Sequence, residues 1–182
     1  MNEIATLAGG CFWCTEALFR RLKGVSSVVP GYSGGSDPHP TYDKVCEGQT
    51  GHAEAIQIIF NSVQISYEKI LEIFFFTHNP TTLNQQGNDR GTQYRSVIFY
   101  HDEKQKATAL KVKEKIEKEK VYENPLVTEL VPFTHFYPAE DYHKSYFDKN
   151  KTASYCDVII SSKIHKLLNL YSNEVKEEYK KE

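Results

Sequence analysis

The 182 residues carry 22 basic and 24 acidic side chains, a formal charge of −2, and suffice for one domain with a single continuous core. So balanced a charge offers no field to attract nucleic acid or an anionic membrane surface, and the most apolar run, Ile70 to Phe76, contains Glu72 and is far shorter than the roughly 20 residues that cross a bilayer. The four cysteines, Cys11, Cys14, Cys46 and Cys156, are too few and too unevenly spaced for a disulfide scaffold and are expected as reduced thiols.

Met1 to Thr6 has Glu3 where a secretory signal would carry basic residues, so a cytoplasmic protein is expected. Ile4 to Ala8 alternates as a strand and Phe12 to Leu22 follows as a helix. At their junction stands Gly9-Gly10-Cys11-Phe12-Trp13-Cys14-Thr15-Glu16. A thiol at a helix start gains from the partial positive charge of free backbone N–H groups, which lowers its pKa and makes it nucleophilic. Cys11 taken alone is equally readable as a buried small hydrophobe. Its C-x-x-C spacing with Cys14 also occurs in dithiol redox proteins and zinc sites, but no second C-x-x-C or H-x-x-x-H is present to complete a metal site.

Val25 to Tyr32 reads as the second strand, and Gly31 to Thr41 as a loop. In Thr41-Tyr42-Asp43 a tyrosine in a turn is ordinarily a packing residue, and Cys46 is read as structural packing in the same segment. Ala53 to Phe60 is the third strand. Glu54 stands at its entry and shares a face with Ile56, Ile58 and Phe60, so desolvation should raise its pKa and make it a proton donor unless it merely lies at the strand edge in solvent. His52 is read as structural.

Tyr67 to His78 is helical, and Asn79 to Tyr94 is a long polar loop carrying Asp89 and Tyr94. Arg95 to Tyr100 is a strand, Glu103 to Lys120 a charge-laced helix and Leu126 to Val131 a fifth strand. Pro132 to Pro138 is left as a loop, and Ala139 to Asp148 as a short helix. Ile164, Leu167, Leu168, Tyr171 and Val175 recur with helical spacing, so a last helix should dock by that stripe, with a solvated, frayed tail from Lys176 onward. The order β-α-β-β-α-β-α-β predicts an α/β (α+β) two-layer sandwich with a mixed sheet and split βαβ crossovers, ferredoxin-like in connection. One catalytic domain over 1–182 is expected, its C-terminal segment from about 150 carrying Cys156 and the terminal helix.

Four ordered segments resemble the A-type peptide methionine sulfoxide reductases: Gly10 to Glu16, Pro40-Thr41-Tyr42 through Gly51-His52-Ala53-Glu54, Thr81 to Asp89 running into Gly91 to Ser96, and Phe136 to His143. The resemblance covers about residues 5 to 157. It implies a two-layer α/β sandwich and the reduction of methionine S-sulfoxide, free or in oxidised proteins under repair. Cys11 would be the nucleophile, Phe12 and Trp13 the cradle for the S-methyl group, Glu54 the acid, and Tyr42, Asp89 and Tyr94 helpers around the oxygen. Attack would leave Cys11 as sulfenic acid, with Cys156 expected to resolve it to a disulfide that thioredoxin reduces. Many relatives have glycine at the place of Cys14, so Cys14 is the alternative resolving thiol here. No cofactor and no metal are implied, and a monomer is expected.

Overall fold

A computed structural model describes residues 1–181, the side chains of Cys156 and Asp157 excepted. Along the chain lie β1 (Asn2–Gly9), α1 (Phe12–Phe19), β2 (Val25–Ser33), α2 (Tyr42–Cys46), β3 (Ala53–Asn61), α3 (Tyr67–Thr77), β4 (Gln85–Gln86), β5 (Asp89–Arg90), β6 (Ser96–Tyr100), α4 (Glu103–Lys118), β7 (Glu129–Pro132), β8 (Phe136–Pro138), α5 (Tyr146–Lys149) and α6 (Ser161–Tyr171). The alternating strands sort their side chains to two faces. Ala5 and Leu7 of β1 join Ile56, Ile58 and Phe60 of β3 in the main core, whereas Ala8, Ala53, Ala55, Val97 and Phe99 form a smaller cluster on the other face. Phe12, Leu18 and Phe19 of α1, Ile70, Leu71 and Phe74 of α3, and Val112 and Ile116 of α4 close over the first face. Each such side chain contributes roughly 1.5–3 kcal/mol on full burial.

The six-stranded sheet has the order β7-β6-β1-β3-β2-β8. β6 and β7 pair in parallel and the other neighbours are antiparallel. Consequently β1 and β2 run the same way with β3 between them, as do β3 and β6 with β1 between them. The two split crossovers of the expected ferredoxin-like sandwich are thus present, carried by α1 and α3. Side chains cap the exposed helix starts: Ser66 Oγ accepts from Lys69 N at 3.1 Å, and Asp102 Oδ1 from Gln105 N at 2.7 Å.

The segments left as loops hold more structure than expected. Gly31 to Ser33 prolong β2, β4 and β5 form a ladder followed by a 3₁₀ turn at Thr92–Tyr94, and β8 adds a strand to the edge of β2. Residues 139–148 form a 3₁₀ turn (Asp141–His143) and α5 instead of one helix, because Ser145 takes a left-handed φ of 55° between them. The expected frayed tail is corrected to a docked one. Val175 leaves the helix to bridge Leu22 and is fully buried, and Lys176 N and Nζ donate to the carbonyls of Arg21 and Arg20, each at 2.9 Å. The buried Arg21 guanidinium lies over the Tyr179 ring at 4.7 Å and the Phe147 ring at 5.2 Å. Among the described residues no helix is long and apolar enough to cross a membrane.

Candidate active site

Cys11 is the cap of α1, where β1 turns into the helix. The turn depends on Gly10, whose φ of 89° is open to glycine and whose Cβ, if present, would come within 2.5 Å of the Gln86 side chain. Gln86 is held there by hydrogen bonds in both directions with the backbone of Asn79, each 3.0 Å. The β4–β5 ladder is therefore seated on the cysteine turn, and it carries Asp89 to the site.

Glu54 is reached from β3, in register with Tyr32 of β2. Its side chain is 1% exposed, and Oε2 accepts the N–H of Phe12 at 2.9 Å. Burial drives its pKa from the carboxylate range to about 8, against the pull of that N–H. The direction favours the protonated carboxyl at neutral pH.

The thiols depart from expectation. Cys11 is 7% exposed, and burial, reinforced by Cys14 and then by Glu54, raises its pKa well above the ordinary thiol value. The first N–H of α1 is engaged by Glu54 and does not donate to the Cys11 thiol. Cys14 moves the other way, to about 7: a hydrogen bond from Cys11 lowers it against burial, with help from Lys163 and Tyr155. The two thiols thus share protons as a pair. The Tyr155 hydroxyl lies 3.6 Å from Cys14 Sγ and donates to Asp89 Oδ2 at 2.7 Å.

The remaining expected residues converge on the same place. The Tyr42 ring stacks against Phe12 and Trp13, each at 6.3 Å between centroids. Burial raises the pKa values of Tyr42 and Tyr94, and in both the neighbouring Glu54 adds to the rise, so both phenols remain donors. Asp89, Cys46 and Cys11 add to the rise at Tyr94. Cys46, read as packing within the Tyr42 segment, is exposed at the end of α2 with its thiol beside Tyr42. His52 is structural as expected, since Nδ1 accepts from Gly35 N at 3.0 Å and Nε2 meets the Asp37 carbonyl at 2.8 Å. The backbone of Cys156 begins a π-type turn ending at Ile160, and its thiol lies outside the described residues. Among the described residues no three His, Cys, Asp or Glu side chains gather as metal ligands do.

Several residues that shape the site have no role in the sequence reading, although Glu140 and His143 lie in the Phe136 to His143 segment that carries the resemblance. Tyr146 stacks flat on Trp13, 3.7 Å between centroids and 7° between planes. Glu140 accepts from the Tyr32 hydroxyl at 2.7 Å and from Tyr42 N at 2.8 Å. His143, wholly buried, accepts from the Trp13 indole at 2.9 Å. The aromatic density of Phe136 to Tyr146 is the signal that could have drawn attention to them.

A family model described as peptide methionine sulfoxide reductase matches residues 3–176 of this chain. A curated relative, peptide methionine sulfoxide reductase MsrA of Saccharolobus solfataricus, is 56% identical over 174 residues, covering 96% of this chain and 97% of the relative. Among solved structures, reduced Mxr1 from Saccharomyces cerevisiae superposes with a TM-score of 0.80 at 36% identity, covering 85% of this chain and 89% of that one. The same yeast protein in complex with Trx2 gives a TM-score of 0.57 at 26% identity, with 80% and 84% covered.

Proposed function

Because this chain belongs to the peptide methionine sulfoxide reductase family, A type, and reduces methionine S-sulfoxide by thiol chemistry, we propose that Cys11 is its nucleophile and Glu54 the acid that activates the sulfoxide oxygen. The observation that carries this reading is a carboxyl buried to 1% exposure and hydrogen-bonded to the residue next to the cysteine, where burial raises its pKa to about 8. A sulfoxide is a poor electrophile until its oxygen receives a proton or strong hydrogen bonds. Glu54 gives the proton, and the phenols of Tyr42 and Tyr94 hold the oxygen, with Asp89 at the rim. Phe12 and Trp13 form the apolar wall for the S-methyl group.

The proton shared by the two thiols moves to Cys14 as the Cys11 sulfur attacks the sulfoxide sulfur. The oxygen takes the proton from Glu54 and passes to the Cys11 sulfur as the bond between the two sulfurs and the substrate S–O bond break, so methionine leaves, Cys11 becomes sulfenic acid and Glu54 is left as carboxylate. A second thiol then condenses with it, releasing water and closing a disulfide. Cys156 is the resolving thiol expected from the family pattern. A second route runs through Cys14, whose thiol interacts electrostatically with that of Cys11. The disulfide is reduced by a thioredoxin, a reading supported by the yeast relative solved with Trx2. The chain acts as one catalytic domain, a reading supported by the main core that runs from Ala5 to Val175.

The testing experiment is a single turnover of the Glu54→Gln variant on the S-sulfoxide. Glutamine keeps the shape and a hydrogen-bond donor but transfers no proton, so substrate should still bind while the chemical step slows about 10²- to 10⁴-fold. A near-normal rate would mean that Tyr42 and Tyr94 suffice and that Glu54 is not the acid.

A further inference from the structure

Asp89 is shared between the site and a second, smaller cavity. This cavity measures about 180 Å³ and lies between the β4–β5 ladder and the start of α6, walled by Asn88, Asp89, Tyr155, Ile159 and Lys163. Sites for whole small molecules ordinarily offer roughly 300 Å³ or more, so this one has room for a single side chain. Two of its walls belong to the reacting centre: Tyr155 donates to Asp89 Oδ2 at 2.7 Å, and its hydroxyl lies 3.6 Å from Cys14 Sγ. A group in the cavity therefore sits beside the sulfoxide site and not on a remote face.

The charges around it are unequally engaged. Asp89 is held by Tyr155, whereas Lys163, half-buried in the first turn of α6, forms no ion pair among the described residues. Neither does Lys166, one turn further along and exposed. Burial depresses the His78 pKa and both lysines deepen the fall, so their field reaches inward past the cavity. A cation partly withdrawn from water without a counter-charge gains from an anion brought to it, because a charge-assisted hydrogen bond replaces the solvation it has lost. The exposed Asn88 can donate its amide to the same anion, and Ile159 offers an apolar flank to the methylenes that carry it.

We propose that Lys163 is a specificity-determining residue, which favours peptides with an aspartate or glutamate next to the methionine S-sulfoxide, or one residue removed, and seats that carboxylate in the cavity beside Asp89. The inference rests on the placing of the sulfoxide at Cys11 and Glu54, with Asp89 at its rim. A partly exposed ion pair shifts affinity only a few-fold and is screened by salt, so the effect is a graded preference and not an absolute requirement.

Short peptides with blocked ends, alike except for Glu, Gln or Lys near a central methionine S-sulfoxide, test this with a dithiol reductant in excess. On at least one side of the methionine kcat/KM should fall in the order Glu, Gln, Lys, over a span of about 3- to 10-fold that shrinks in about 1 M salt. Lys163→Glu should invert the order. Lys163 also helps to lower the Cys14 pKa, but each comparison is between peptides on one enzyme, so an effect on the thiols cancels. Equal rates for the three peptides on both sides, or the same order kept in Lys163→Glu, would overturn the proposal. Should the glutamate variant fail to fold, Lys163→Gln decides: a flattened order supports the assignment and an unchanged order refutes it. N-acetyl-methionine S-sulfoxide amide, which carries neither neighbours nor charge, reports on the sulfoxide site alone. Its reduction through a dimedone-reactive Cys11 would leave that placing intact whatever the peptides show, and its failure to react would refute the placing itself.

Discussion

Glu54 Oε2 and the N–H of Phe12 lie 2.9 Å apart, so the opening donor of α1 serves the acid and not the thiol beside it. That allocation sets the pH behaviour of the site. Glu54 acts as an acid only while protonated, below about 8, and the thiol pair must have lost one proton, which Cys14 marks at about 7. The rate constant kcat/KM should therefore be bell-shaped, with limbs near these values belonging to coupled groups. In Cys14→Ser the acid limb should move to higher pH, because Cys11 alone is a desolvated thiol next to Glu54. A limb that stays in place would show that the pair does not share its proton.

Stability should carry the same signature. The folded-state pKa of Glu54 lies above its unfolded value, so the folded chain holds a proton that the unfolded chain loses from about 4.5 upward. The contribution is full below about 4.5 and is lost as pH rises towards about 8. Glu54→Gln has no such proton, so its melting temperature should fall less between pH 5 and pH 9 than that of the unaltered protein. Parallel pH profiles of the two would contradict a buried, protonated Glu54.

The sheet was legible where apolar residues alternate without interruption, as in Ile56, Ile58 and Phe60 of β3. It was illegible at β8, where Phe136, Tyr137 and Pro138 show no alternation and exist as a strand only by pairing with Gly31 to Ser33. Val175 fits the helical spacing after Tyr171, yet its burial against Leu22 is a tertiary outcome that local periodicity does not encode. The site divides in the same way. Cys11 and Glu54 stand at element ends next to glycines and apolar neighbours, and so are visible locally. His143 and Tyr155 act through partners 130 and 66 residues away in sequence, on Trp13 and Asp89, which the aromatic-rich segment around His143 flags as a region but does not name.

Tyr155 offers a third test. Its hydroxyl bridges Asp89 and the Cys14 thiol, so Tyr155→Phe removes one group that lowers the Cys14 pKa. Thiol alkylation of Cys14 should then titrate at higher pH. An unchanged titration would show that the bridge has no effect on the thiol.

The resolving thiol is decided by peptide mapping without reductant after one turnover. If Cys156 resolves, Cys156→Ser should stall as the sulfenic acid while Cys14→Ser keeps cycling with thioredoxin. A Cys11–Cys14 bridge as the single disulfide, persisting in Cys156→Ser, would assign the step to Cys14.

The central claim is that Cys11 takes the oxygen of the sulfoxide. In a variant with Cys14→Ser and Cys156→Ser, excess methionine S-sulfoxide without reductant should yield one methionine per protein, with dimedone trapping a sulfenic acid at Cys11. Adding Cys11→Ser should abolish both. Methionine still formed in that last variant, or the adduct found on Cys46 in place of Cys11, would contradict the account.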